Sequence, residues 1–201
     1  STTSSIDDPS SSVEGTGVFI TGKSYAGWKC EIMVIGNKVV KNQGYGIYIV
    51  NAEGELPSSI KIKNNKLSSN AMDGLALETV SYALVERNLI SENGPGYVGV
   101  SIFDYSHDIT IRRNLIADND WGGVWIDRRD NKNIVIEFNV IAKHKGRPGV
   151  GIEIEKQNTL SYDTFIIRWN LIAFNNYGIV LWEGPANNPY PKNMLLSNDV
   201  D

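Results

Sequence analysis

The stretch that decides the fold is Ile109-Thr110-Ile111-Arg112-Arg113-Asn114-Leu115-Ile116-Ala117-Asp118-Asn119-Asp120-Trp121-Gly122-Gly123-Val124-Trp125-Ile126. An alternating apolar run ends at Asn114. An apolar pair follows, a second Asn stands five residues after the first, and a Gly leads into another alternating run. Alternation with a period of two is the mark of a strand with one buried face. The unit recurs along the chain. Its paired Asn fall at Asn37 and Asn42, Asn65 and Asn70, Asn88 and Asn93, and Asn170 and Asn175, while Asn139 is followed by His144. The Gly-led runs begin at Gly46, Gly74, Gly99, Gly123, Gly151 and Gly178. Successive lead Asn are 28, 23, 26, 25 and 31 residues apart. Rigid helical repeats hold a near-constant period, whereas β-coils can vary their turns and keep their strands in register. The β-branched, Gly and Asn content also disfavours helix.

These observations predict a stack of six to seven coils spaced about 4.8 Å apart. Equivalent Asn side chains then form two hydrogen-bonded ladders, one through the lead Asn and one through the second, with His144 in one rung. The corners suggest left-handed backbone at the Asn and a clash-free turn at the Gly. The repeated Asn-x-Ile-x-x-Asn and Gly-Ile-x-Ile pattern resembles the right-handed parallel β-helix superfamily, the pectin-lyase-like fold, over roughly residues 17–200. That resemblance implies an all-β solenoid. On function it implies only a range: polysaccharide lyases, glycoside hydrolases, epimerases, phage tailspikes and adhesins share the scaffold.

The chain has 201 residues and a net charge of −4, with no basic field for a nucleic-acid backbone. The single cysteine, Cys30, excludes an intrachain disulfide framework. No apolar run reaches the roughly 20 residues of a membrane span. Residues 1–14 read as a Ser/Thr-rich linker or trimmed start, and 15–201 as the solenoid, which can be a segment of a longer one. Residues 15–20 read as the closing half of a coil, and 194–200 as the opening of another.

Alternation also assigns the outward faces. Before the lead Asn, one outward column reads Lys63, Glu86, Arg112, Glu137, Arg168. Its charges alternate rung by rung, which predicts a structural ladder of ion pairs worth about 0.2–1 kcal/mol each. After the Gly, two columns read Tyr48, Ala76, Ser101, Trp125, Glu153, Val180 and Val50, Glu78, Phe103, Asp127, Glu155, Trp182. Here aromatics and carboxylates mix, with Glu183 one step further on and Arg128, Arg129 and Lys156 in the exit loops. Aromatic rings stack on the apolar faces of sugars, and carboxylates bond their hydroxyls. Carboxylates one or two coils apart, at about 5 or 10 Å, bracket the geometries of glycoside hydrolysis.

The candidate acid–base residues are therefore Asp127, Glu153 and Glu155. Tyr48, Glu78, Phe103, Trp125, Arg128, Trp182 and Glu183 are the candidate substrate contacts, with Tyr48, Trp125 and Trp182 as stacking platforms. No cofactor is required by the pattern; calcium is the one ion that Asp127 and Glu155 would suit. Asp104-Tyr105-Ser106-His107-Asp108 sets a histidine between carboxylates, in a stretch where polar turn residues are expected anyway. Leu89, Leu115, Val140 and Leu171 follow the lead Asn and should face outward, an unusual place for aliphatics. The functional expectation is polysaccharide recognition outside the cell or in its envelope, with cleavage as an extension. The alternative is a structural or adhesive solenoid that associates end to end.

Overall fold

The computed structural model describes residues 14–22, 30–144, 146–155 and 165–181. They form strands β1–β19, numbered in chain order, and every pairing between them is parallel. Three faces wind about one axis. The first holds β1 (Val18–Thr21), β4 (Ile47–Glu53), β7 (Leu75–Ser81), β10 (Val98–Phe103), β13 (Gly122–Ile126), β16 (Val150–Ile154) and β19 (Tyr177–Leu181). The second holds β2 (Ile32–Ile35), β5 (Ile60–Lys63), β8 (Ala83–Glu86), β11 (His107–Arg112), β14 (Lys132–Glu137) and β17 (Phe165–Arg168). The third holds β3 (Lys38–Val40), β6 (Lys66–Ser68), β9 (Leu89–Ser91), β12 (Leu115–Ala117), β15 (Val140–Ala142) and β18 (Leu171–Ala173). The pairing of His107 with Ser81 joins the first two faces round their corner. Strand β1 pairs with β4, so residues 15–20 do close a coil. The opening coil expected at 194–200 lies outside the described residues.

The core is a stack of aliphatic columns, one inward residue per rung. Ile47, Leu75, Val100, Val124 and Ile152 are stacked in register and buried, as are Ile62, Val85, Ile111 and Ile136 on the second face. Between the second and third faces runs the first Asn ladder. Each rung donates from its backbone N–H and from Nδ2 to Oδ1 of the next, from Asn37 through Asn65, Asn88, Asn114 and Asn139 to Asn170, at 2.9–3.1 Å. The second ladder runs from Asn42 through Asn70 and Asn93 to Asn119. It continues into His144, whose N–H donates to Asn175 Oδ1 at 3.0 Å. A short third ladder, which the repeat pattern does not advertise, turns the remaining corner: Val80 N–H donates to Ser106 Oγ, and Ser106 N–H to Asn131 Oδ1.

One corner expectation needs correction. The left-handed backbone falls not on the ladder Asn but on the residue before it. In the first ladder these are Gly36, Asn64, Arg87, Arg113, Phe138 and Trp169, with φ of 55–74°. Lys41, Ser69, Glu92, Asp118, Lys143 and Phe174 do the same in the second. The Asn must stay extended to aim its amide at the next coil, so the bend is taken one residue earlier. The repeat's Gly does avoid a Cβ clash, as expected, without adopting a left-handed φ. A Cβ on Gly74 would lie 2.6 Å from Ile90 Cγ2 and 2.7 Å from Asn93 Nδ2, so Gly is there to let the ladder pass.

His144 marks the imperfect rung. It is fully buried, and its Nε2 has no hydrogen-bond partner among the described residues. Burial pushes its pKa down, so the fold holds it neutral. Below the ordinary value of about 6.5 only the unfolded chain takes up this proton, so stability falls as pH drops toward the lowered folded value. His144→Asn should remove that loss and raise stability by about 1 kcal/mol at neutral pH. Urea midpoints at neutral and mildly acidic pH check this; equal pH slopes in both proteins would sink it.

The charge column on the second face forms in part: it is paired in two groups, with none of the ion pairs joining Arg112 to Glu137, and its two acids are buried rather than exposed. Glu86 sits between Lys63, at 2.7 Å, and Arg112, at 2.8 Å, and Arg168 bonds Glu137 at 2.8 Å. The Lys63 bond, with Arg112 beside it, holds the Glu86 carboxyl below its usual range. Its contribution is present above the ordinary carboxylate pKa and is lost as pH falls through the lowered folded value. Glu86→Gln should cost about 1–3 kcal/mol at neutral pH, read from thermal unfolding. The aliphatic row on the third face does point outward: Leu115, Val140 and Leu171 are exposed, and Leu89 is half-buried.

Candidate functional site

A groove of about 320 Å³ lies where the third face turns into the first. Its floor comes from the strands: Phe103 at the end of β10, Trp125 in β13, and Glu153 in β16, with Glu155 just beyond. Its wall comes from the corner residues Tyr45, Asp73, Tyr97 and Trp121, each ahead of a first-face strand. The chain between Asn93 and Gly99 contains Gly94-Pro95-Gly96, which carries Tyr97 out to that wall. Gly96 N–H donates to Asp120 Oδ2 at 2.7 Å, and Trp121 N–H to Tyr97 O at 2.9 Å, so the wall is tied coil to coil.

The expected outward columns are present. Ser101 pairs with Ala76 and Trp125, Trp125 with Glu153, and Phe103 with Glu78. Indole N–H groups orient two of the acids. Trp121 Nε1 donates to Glu153 Oε2 at 3.1 Å, and Trp125 Nε1 to Glu155 Oε1 at 3.2 Å. Phe103 lies 6.4 Å from Trp125 and 6.5 Å from Tyr48, centroid to centroid, making an aromatic strip across the coils. Asp73, like Glu153, is a buried acid of the groove. It accepts from Val98 N–H and Ser101 Oγ, both at 2.8 Å, and burial pushes its pKa up to about 6.

The other sequence candidates are placed differently. Tyr48 is no open platform: it is buried, packs on Tyr45 at 4.9 Å and Phe19 at 5.4 Å, and its hydroxyl donates to Glu78. Asp127 does not line the groove. It turns into the loop after β13, accepting from Arg129 N–H at 3.1 Å and Asn131 Nδ2 at 2.7 Å, and burial raises its pKa. Arg128 is exposed in the same loop and is not among the lining residues. Arg129 pairs with Asp104. Trp182, Glu183 and Lys156 lie outside the described residues. No group of three or more His, Cys, Asp or Glu among the described residues is placed to hold a metal ion, so Asp127 and Glu155 do not gain the further protein carboxylate a calcium site would draw on.

His107 is not in a turn but opens β11. Its Nδ1 lies 2.7 Å from Asp108 Oδ2, and Asn133 Nδ2 donates to the other Asp108 oxygen at 3.0 Å. With Glu53, Ser81, Tyr105, Asp130 and Lys132 it borders a second cavity of about 480 Å³ at the opposite end of the first-face strands.

Coiled parallel strands, three faces and internal amide ladders define a parallel β-helix with one aromatic and acidic groove. The model of the family described as the right handed beta helix region matches residues 16–194, and the chain belongs to that family. Neither the curated proteins nor the solved structures give a match. No helix among the described residues is long and apolar enough to cross a membrane.

Proposed function

We propose that this protein recognises a polysaccharide or other glycan through the groove on its first face. The observation that supports the reading is the meeting of Tyr45, Tyr97, Phe103, Trp121 and Trp125 with Asp73, Glu153 and Glu155 in one concavity. Sugar rings offer apolar faces to aromatic side chains and hydroxyls to carboxylates. A volume of about 320 Å³ falls within the range of small-ligand pockets. Two of the three residues suggested as acid–base partners, Glu153 and Glu155, border this groove, as does Asp73, whereas Asp127 does not. A location outside the cell or in its envelope, where polymeric glycans are met, goes with this reading.

The test is calorimetric titration of the purified chain with a panel of neutral, amino and acidic oligosaccharides, followed in parallel by tryptophan fluorescence. Saturable heat with an indole spectral shift is the expected result. A panel without any saturable binding overturns the reading. Release of new reducing ends from a bound member would extend recognition to hydrolysis.

A further inference from the structure

The third face carries a surface independent of the groove. Its outward aliphatic column, Leu89, Leu115, Val140 and Leu171, is stacked in register, and the last three side chains are 43%, 37% and 61% exposed. Two residues further along each strand, Ser91, Ala117, Ala142 and Ala173 stack as a column of small side chains, a trough beside the ridge. The left-handed corner residues border the face on either side. The border before the strands reads Arg87, Arg113, Phe138 and Trp169, and the border after them reads Glu92, Asp118, Lys143 and Phe174. All of these border residues are exposed.

We infer that this face joins two copies of the chain side by side, about a two-fold axis parallel to the solenoid axis. That rotation keeps each rung level with its counterpart and exchanges the two borders, so every contact is made twice. Arg87 meets the partner's Glu92, and Arg113 meets the partner's Asp118, which pairs opposite charges. Phe138 meets the partner's Lys143, a cation against a ring, and Trp169 meets the partner's Phe174. Ridge also meets trough: Leu115 lies over the partner's Ala117, and Val140 over the partner's Ala142. A two-fold axis along the strands would instead set ridge on ridge and trough on trough, leaving voids over the alanines. The bonds already present leave room for this. Arg113 reaches Glu86 only at 3.5 Å, and Lys63 and Arg112 hold that acid more closely. Glu92 Oε2 accepts from Ser69 Oγ at 3.1 Å on its own chain. Lys66 and Lys38 continue the ridge column beyond Leu89, which confines the apolar contact to the rungs from Leu89 to Leu171. So small a patch makes a weak, concentration-dependent dimer, with a dissociation constant in the micromolar range.

The experiment is sedimentation equilibrium of the full chain from about 1 to about 200 µM, which should show a monomer–dimer equilibrium. Arg113→Glu and Asp118→Arg, each verified as folded by circular dichroism, should each raise the dissociation constant at least about tenfold, because each sets like charges together twice. Neither residue lines the groove. Mixed in equal amounts, the two variants should recover dimers. The introduced acid of one then faces the introduced base of the other, and the remaining Arg113 and Asp118 face each other across the second contact. A chain that stays monomeric throughout the range overturns the inference. So do dimers that both single substitutions leave intact, or losses that mixing does not restore.

Discussion

Trp125→Ala should weaken glycan binding by about tenfold to a hundredfold, or about 1.4–2.8 kcal/mol. Trp125 stands in mid-strand on β13, so its ring is held by the sheet rather than by a loop. Its indole plane contributes to the groove floor, and its Nε1 holds Glu155 at 3.2 Å. Truncation removes an aromatic surface and the indole hydrogen bond to Glu155 in one step. Trp169→Ala is the matched control. Trp169 is exposed on another corner, stacked on Phe138 at 4.9 Å, and lies outside the groove. Binding unchanged in Trp125→Ala, or lost equally in Trp169→Ala, would remove the groove from the account.

The largest loss of stability is expected from Asn114→Ala. Asn114 Nδ2 donates to Asn139 Oδ1 at 3.0 Å and to Val85 O at 2.9 Å, and its Oδ1 accepts from Asn88 N–H at 2.9 Å and Asn88 Nδ2 at 3.0 Å. All of these groups are buried between coils. Alanine removes these bonds; Asn139 Oδ1 keeps the residue 114 N–H and Asn88 Nδ2 keeps Ile62 O, but the Asn88 N–H loses its partner in a space closed to water, at about 1–3 kcal/mol for a group left unpaired. A total of about 3–5 kcal/mol is expected from equilibrium urea unfolding. The exposed neighbour Arg113→Ala should stay within about 1 kcal/mol. Equal losses at both positions would show that the amides merely fill space.

The coil stack was legible because its two determinants are periodic: strand alternation, and Asn at a constant spacing of five. The ion-pair column and the outward Leu115, Val140 and Leu171 followed from the same alternation. The ladder corner was misjudged because sequence shows which residue is polar, not which peptide bends. Half of the groove was hidden for a related reason. Phe103, Trp125, Glu153 and Glu155 sit on or beside strands, where direction follows from parity. Tyr45, Asp73, Tyr97 and Trp121 sit at corners, where parity is lost. A signal was nonetheless present: Tyr45 and Asp73 each precede the repeat's Gly. Tyr48 is no platform because an outward direction does not guarantee exposure when Phe19 and Tyr45 pack on the ring.

The five-residue interval between paired Asn does not vary, whereas the stretch from second Asn or His to the repeat's Gly does: it is four residues at Asn70, six at Asn93 and seven at His144. One edge of the molecule is thus a ruler and another is an editable margin. Segments can lengthen at the margin without shifting a single rung, because each coil is indexed by its own amides. That margin is where the groove wall stands. A new recognition loop grafted between Asn93 and Gly99 would inherit a fixed backbone, so binding preference can diverge here faster than the architecture that carries it.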